Sequence, residues 1–144
     1  MNIKVKRVNA RAVLPEYGSA GAACFDLRVC MYDSFLWIDP GERVKVPTGL
    51  AVSLPANHEL QIRPRSGLSF HKGIDVIFGT VDSDYRGEIH IILANNSKLP
   101  FQLRNLERIA QGIVVPTLKA EFIEVEQLDD TARGANGFGS TGGC

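Results

Sequence analysis

Apolar residues in this chain recur at every second position over short runs, and no other feature limits its fold as much. Ile3 and Val5, Val44 and Val46, Leu50-Val52-Leu54, Leu60 and Ile62, Ile89-Ile91-Leu93, and Ile123 with Val125 each mark one face of a strand. Side chains alternate across an extended chain, so such runs turn one apolar face to a core. Turn chemistry separates them, as in Asp39-Pro40-Gly41-Glu42, Leu54-Pro55-Ala56-Asn57 and Asn95-Asn96-Ser97-Lys98. Many short strands at this spacing predict an all-β sandwich or barrel. Only Ser66 to Lys72 reads as a short helix.

With 144 residues, 44% of them hydrophobic, the chain fits one domain with a filled core. Sixteen basic residues balance 16 acidic ones. A duplex-binding surface needs a basic excess, so no nucleic-acid partner is expected. An anionic ligand should be small and held by a few local arginines. No apolar run is long enough for a membrane span, and the N-terminus lacks a signal peptide's apolar block. The cysteines, Cys24, Cys30 and Cys144, form no Cys-x-x-Cys pair and read as free thiols in a reducing compartment. A cytoplasmic or nuclear location follows as an expectation. His58, His71 and His90 lack metal-ligand spacing and read as structural or surface residues.

The densest chemistry lies in Gly79-Thr80-Val81-Asp82-Ser83-Asp84-Tyr85-Arg86-Gly87-Glu88. On extended chain Asp82 and Asp84 would point to one side and could share a pocket. Taken alone, acids around a serine beside glycine also read as plain hairpin-turn chemistry. Four further stretches stand out. In Ala22-Ala23-Cys24-Phe25-Asp26-Leu27, Asp26 interrupts an apolar run. In Pro64-Arg65-Ser66-Gly67-Leu68-Ser69, Ser66 is a candidate helix cap and Arg65 a forked donor for phosphate oxygens. In Glu107-Arg108-Ile109-Ala110-Gln111-Gly112, alternation puts Gln111 on the face of Ile109, where its amide needs partners. From Asp129 onward the chain is glycine-rich, with Phe138 its one large apolar residue. That segment cannot bury itself, and reads as a frayed terminus or as an arm that orders over a ligand. Its glycines expose backbone N–H groups as phosphate loops do, without the Gly-Lys-Ser/Thr of a P-loop.

These five stretches, in this order on an all-β chain, resemble the trimeric deoxyuridine triphosphatases (dUTP pyrophosphatases). The motifs are Ala-Cys-Phe-Asp-Leu, Pro-Arg-Ser-Gly-Leu, Gly-Thr-Val-Asp-Ser-Asp-Tyr-Arg-Gly, Arg-Ile-Ala-Gln and Arg-Gly-x-x-Gly-Phe-Gly-Ser-Thr-Gly. The chain departs from the family pattern at Cys24, where glycine is usual, and at Ile77 and Phe78 before Gly79. It departs again in the turn Arg104-Asn105-Leu106-Glu107, which lacks the common glycine.

The resemblance implies a distorted jelly-roll-like β-barrel or sandwich over residues 1–128, and a mobile glycine-rich C-terminal arm over 129–144. It implies hydrolysis of dUTP to dUMP and pyrophosphate with Mg²⁺, which keeps uracil out of DNA and supplies dUMP for dTMP synthesis. Asp82 would orient and deprotonate the attacking water, and Tyr85 would exclude a ribose 2′-hydroxyl. Gly79, Thr80 and Val81 would read the uracil edge, while Arg65, Ser66, Gly67 and Gln111 hold phosphates or the water. Asp26 would meet the metal through its waters. Phe138 would stack on uracil, with Arg133, Gly139, Ser140 and Thr141 closing over the phosphates. The implied assembly is a homotrimer whose sites are shared between chains. Two other readings remain: a dCTP deaminase, which shares the fold and is disfavoured by the Asp82–Tyr85 run and Phe138, and a nucleotide-sensing or partner-binding protein that keeps the pocket.

Overall fold

The structure, a computed structural model, describes residues 1–137. In chain order the elements are β1 (Lys4–Arg7), β2 (Glu16–Tyr17), β3 (Phe25–Arg28), β4 (Phe35–Ile38), β5 (Arg43–Pro47) and β6 (Leu50–Ser53). There follow β7 (His58–Arg63), α1 (Ser66–Lys72), β8 (Ile74–Val76), β9 (Gly79–Val81), β10 (His90–Asn95), β11 (Phe101–Arg104) and β12 (Arg108–Pro116). Five strands form one sheet in the order β2-β3-β12-β7-β9, and three form another in the order β5-β10-β8. Two-stranded pairs β1-β6 and β11-β4 complete the described sheets, none of which closes on itself. The architecture is therefore an all-β, distorted sandwich, as the alternation predicted.

Most of the apolar runs turn alternate residues into a common core. Leu27, Ile38, Val46, Leu60, Ile74, Ile91, Leu93, Leu103 and Ile109 come from eight different strands, and all are essentially inaccessible to solvent. Fully burying a side chain of this size is worth about 1.5–3 kcal/mol, so this core outweighs any surface ion pair in holding the sheets together. Cys24 and Cys30 are free thiols. Burial pushes the Cys30 thiol above its ordinary range, the nearby Arg11 guanidinium pulls it back, and Glu88 adds to the rise.

Three local expectations change. The helix spans Ser66–Lys72 as read, but Arg65 is its N-cap residue, and its side chain makes no capping hydrogen bond. Ser66 is thus the first helical residue, and its hydroxyl is not committed to capping. In β12 the pairing with β3 shifts between Arg108 and Ala110, and Ile109 and Ala110 are both buried. That irregularity breaks the alternation, so Gln111 leaves the core side and stands half-buried at the surface. Finally, Ile123 and Val125 belong to no strand of this chain, and both are exposed.

The turn before β12 carries a further backbone exception. Leu106 takes φ +63° where a glycine would be unstrained. Its N–H bonds to the carbonyl of Val29 at 3.0 Å and its carbonyl accepts from Arg28 Nη1 at 3.0 Å. The side chain packs against the small cluster of Ala12, Cys30 and Leu50. Left-handed backbone costs a residue with a Cβ about 1–2 kcal/mol, which that packing and those bonds offset.

Candidate active site

Strand register assembles the first group of polar residues. Gln111 on β12 lies opposite Asp26 on β3 and opposite Arg63 on β7. Residues directly opposite across a sheet project to the same face, so Asp26 and Gln111 emerge together beside the Pro64-Arg65 turn. Gln111 Nε2 donates to the Pro64 carbonyl at 2.8 Å. Arg65 Nε stands 3.2 Å from Asp26 Oδ1, and Arg108 Nη1 donates to Asp26 Oδ2 at 3.1 Å. Arg65 Nη1 also donates to the Arg108 carbonyl at 2.8 Å. These residues, with Ser66, Gly67, His71 and Lys72, line a cavity of about 520 Å³. Arg65, Arg108 and Lys72 set three cations against the carboxylate of Asp26, so the lining of the cavity carries an excess of positive charge. Partly exposed ion pairs are worth roughly 0–1 kcal/mol, so either guanidinium can turn to an incoming phosphate at small cost.

The second group forms around β9. Gly79 pairs with Ile62, Thr80 with Gln61, and Val81 with Leu60 on β7. The chain then turns, with the Tyr85 N–H bonded to the Asp82 carbonyl at 3.2 Å. Residues in a turn do not alternate, so Asp82 and Asp84 diverge: Asp82 lines the adjoining cavity with Tyr85, and Asp84 does not. The stretch is at once a hairpin turn and a cavity wall. This cavity measures about 340 Å³, with Gly79, Thr80, Val81, Asp82 and Tyr85 on one side and Lys45, Ile62, Glu88 and His90 also lining it. A Cβ at Gly79 would meet only Ile62, at ordinary distances of 3.6 Å and beyond. The described fold leaves room for a Cβ there, and without one the backbone is open to close approach.

The two cavities share no lining residue. In one chain, then, Asp82 and Tyr85 line a different cavity from Arg65, Ser66, Asp26 and Gln111. Arg133 sits in an exposed turn, its Nε donating to the Asn136 carbonyl at 3.2 Å, and lines neither cavity. Phe138, Gly139, Ser140 and Thr141 lie outside the described residues. Several lining residues were missed in the sequence. Lys72 and His71 follow from the helix, which a helical wheel would have found. Lys45 and His90 arrive through the pairing of β5 with β10, where His90 faces Pro47 and Lys45 faces Ile92. That long-range register leaves no local signal.

A profile of the dUTPase family matches residues 10–142, the span that holds all five motifs. The chain belongs to the dUTPase family. Among its dUTPase relatives, a protein of Wolinella succinogenes named deoxyuridine 5′-triphosphate nucleotidohydrolase is 54% identical over 99% of this chain and 95% of its own. A protein of the same name from Nautilia profundicola is 50% identical over 99% of both chains. In fold, a point mutant of the dUTPase of phage 80α superposes with a TM-score of 0.88 at 24% identity, covering 96% of this chain and 98% of that one. Another point mutant of the same Staphylococcus phage dUTPase, solved with dUpNHpp, superposes at 0.85 with 24% identity and 98% coverage of both chains. No helix among the described residues is long and apolar enough to cross a membrane.

Proposed function

We propose that this protein hydrolyses dUTP to dUMP and pyrophosphate at sites shared between three copies of the chain. Family membership and relatives named for this reaction support the activity. The observation that carries the site reading is the split between a cation-rich cavity and a separate glycine-edged one. A triphosphate suits the first, and a neutral base on a sugar suits the second. In the proposed assembly one nucleotide uses both, each supplied by a different chain.

In this reading the backbone of Gly79 to Val81 pairs with the uracil edge, and Tyr85 fills the space beneath C2′. Arg65, Ser66, Gly67 and Gln111 hold phosphate oxygens and the attacking water. Asp82 takes a proton from that water as its oxygen bonds to the α-phosphorus in line, and the bond to the bridging oxygen breaks to release pyrophosphate. A positioned base of this kind contributes about 10²–10⁴-fold, and donors aimed at the phosphoryl group supply much of the rest. The arm, residues 129–144, brings Arg133, Phe138, Gly139, Ser140 and Thr141 over the nucleotide.

Mg²⁺ keeps several waters and usually takes one or two carboxylates plus substrate phosphates. The donor set fits that use. Among the described residues no three His, Cys, Asp or Glu side chains gather into a cage. Both oxygens of Asp26 already face guanidinium groups, so Asp26 would hold the ion through water and not directly. When bound with the triphosphate, the ion would neutralise charge on the phosphate oxygens.

Assembly of copies has support in the single chain. Residues 117–137 form no strand or helix, and Leu118, Phe122, Ile123 and Leu128 are exposed. One edge of β1, which carries Lys4, Lys6 and Arg7, is unpaired among the described residues. Glu121, Glu124 and Glu126 in the exposed segment match it in charge.

The test is pyrophosphate release from dUTP, dCTP, dTTP and UTP side by side. Release from dUTP at a kcat/KM at least about 10²-fold above the others is expected, the scale of discrimination that buried polar contacts allow. Ammonia from dCTP would point to the deaminase reading. Tight binding of dUTP without turnover would point to the sensing reading.

A further inference from the structure

Tyr85 is half exposed, yet its ring has one defined seat. The ring lies against Gly87, where an added Cβ would collide with the phenol, coming within 2.5 Å of Cζ. Its hydroxyl donates to the main-chain carbonyl of Glu88 at 3.2 Å. His90 Nδ1 stands 3.1 Å from that same oxygen.

Glu88 is itself tied down from outside the hairpin. Its Oε1 accepts the Gly49 N–H at 2.7 Å. Gly49 holds φ +69°, and a Cβ there would come within 2.7 Å of the Ala12 Cβ, so this corner admits only glycine. The next residues continue the seam. Thr48 donates to the Ile89 carbonyl from its N–H at 3.1 Å and from Oγ1 at 2.7 Å, and the Ile89 N–H donates to the Leu50 carbonyl at 2.8 Å. The Glu88 carboxylate supplies one side-chain bond from the hairpin's end into this seam, and Thr48 Oγ1 supplies another.

We propose that Glu88 is the positioning residue for Tyr85, so that selection of deoxyribose over ribose depends on the Gly49–Glu88 anchor. The proposal rests on reading Tyr85 as the residue beneath the sugar. A ring excludes a 2′-hydroxyl only if it cannot retreat by the width of an oxygen. The Gly87 platform stops it on one side, and the Glu88 carbonyl holds its far end. Loss of the carboxylate leaves the Gly49 N–H without its partner and leaves the Glu88–Ile89 peptide held to this seam by the Ile89 N–H bond to Leu50, about which the carbonyl can tilt, and the ring with it.

The experiment measures kcat/KM for dUTP and UTP in wild-type protein and in Tyr85→Ala, Tyr85→Phe, Glu88→Ala, Glu88→Gln and the Tyr85→Phe/Glu88→Ala double variant. Glu88→Ala is expected to raise the UTP/dUTP ratio about fivefold, the worth of one net hydrogen bond. Tyr85→Phe is expected to do the same, and the double variant no more than either, since both cut one tether. Glu88→Gln keeps an acceptor for Gly49 and is expected to restore the wild-type ratio. A merely structural role for Glu88 would lower both substrates equally and leave the ratio fixed. If Tyr85→Ala raises the ratio while Glu88→Ala and Tyr85→Phe leave it unchanged, the positioning role is overturned and the sugar reading stands. If Tyr85→Ala leaves the ratio unchanged, the sugar reading falls and this proposal with it. Should Glu88→Ala fail to fold, Tyr85→Phe decides: an unchanged ratio there overturns the proposal.

Discussion

Asp82 is exposed on the turn that closes β9, beside bare backbone and a tyrosine. Replacing it with asparagine keeps the shape and removes the proton acceptor. Turnover of Asp82→Asn is expected to fall about 10²–10⁴-fold, with the affinity for a non-hydrolysable dUTP analogue near wild type. Single-turnover kinetics with calorimetric binding would check both, and near-normal turnover would remove Asp82 from the chemistry. At Leu106 a contrast between two substitutions isolates the backbone. Leu106→Gly relieves the positive φ but gives up part of the packing on Ala12, Cys30 and Leu50, so the two nearly cancel. Its unfolding free energy is expected to stay within about 1 kcal/mol of wild type. Leu106→Val keeps apolar surface but places a β-branched residue where φ is positive, and is expected to cost more, about 2 kcal/mol. Urea melts of the two variants give the order directly, and a glycine variant less stable than the valine one would refute this balance.

At the scale of elements, the segment after β12 is the piece that the single chain leaves unfinished. Its alternating Ile123 and Val125 have the pattern of a strand but no partner strand among the described residues of the same chain. Two truncations separate the roles of its parts. Ending the chain after Asp130 removes the glycine-rich arm, and is expected to keep the oligomer while losing most activity. Ending it after Pro116 removes the exposed apolar segment as well, and is expected to yield monomer. Sedimentation velocity distinguishes them, and a stable trimer from the shorter chain would show that 117–130 does not hold copies together. The same segment shows what kind of structure was legible in the sequence. The strands with local alternation and the helix Ser66–Lys72 were readable because period and turn chemistry are short-range properties. The bulge at Ile109–Ala110 was not, since two consecutive apolar residues fit either face until β3 sets the register. Nor were Lys45 and His90, which meet through the β5–β10 ladder. Asp26, Arg65, Ser66, Asp82, Tyr85 and Gln111 were named from ordered motifs, and each lines one of the two polar cavities. What the motifs did not reveal is that they divide between two cavities of one chain.

That division is the property of the whole molecule on which the proposal of a shared site rests. An apolar cavity of about 550 Å³, lined by residues such as Met1, Ile3, Val5, Phe25 and Leu60, contains none of the candidate site residues. The polar work falls to the two smaller spaces. In the proposed assembly, a closed symmetric oligomer would bring the two spaces together at every site by repeating one contact. The direct measurement uses two variants that are each inactive, Asp82→Asn and Arg65→Ala. Alone, every oligomer of either lacks one component at every site. After co-refolding in equal amounts, a site is whole when its Asp82 comes from the Arg65→Ala chain and its Arg65 from the Asp82→Asn chain. Random donors in a closed oligomer make that one half times one half, so pyrophosphate release from dUTP is expected to recover to about a quarter of the wild-type rate. Mass spectrometry establishes that mixed oligomers have formed. Mixed oligomers with no more activity than the parents would contradict a site shared between chains.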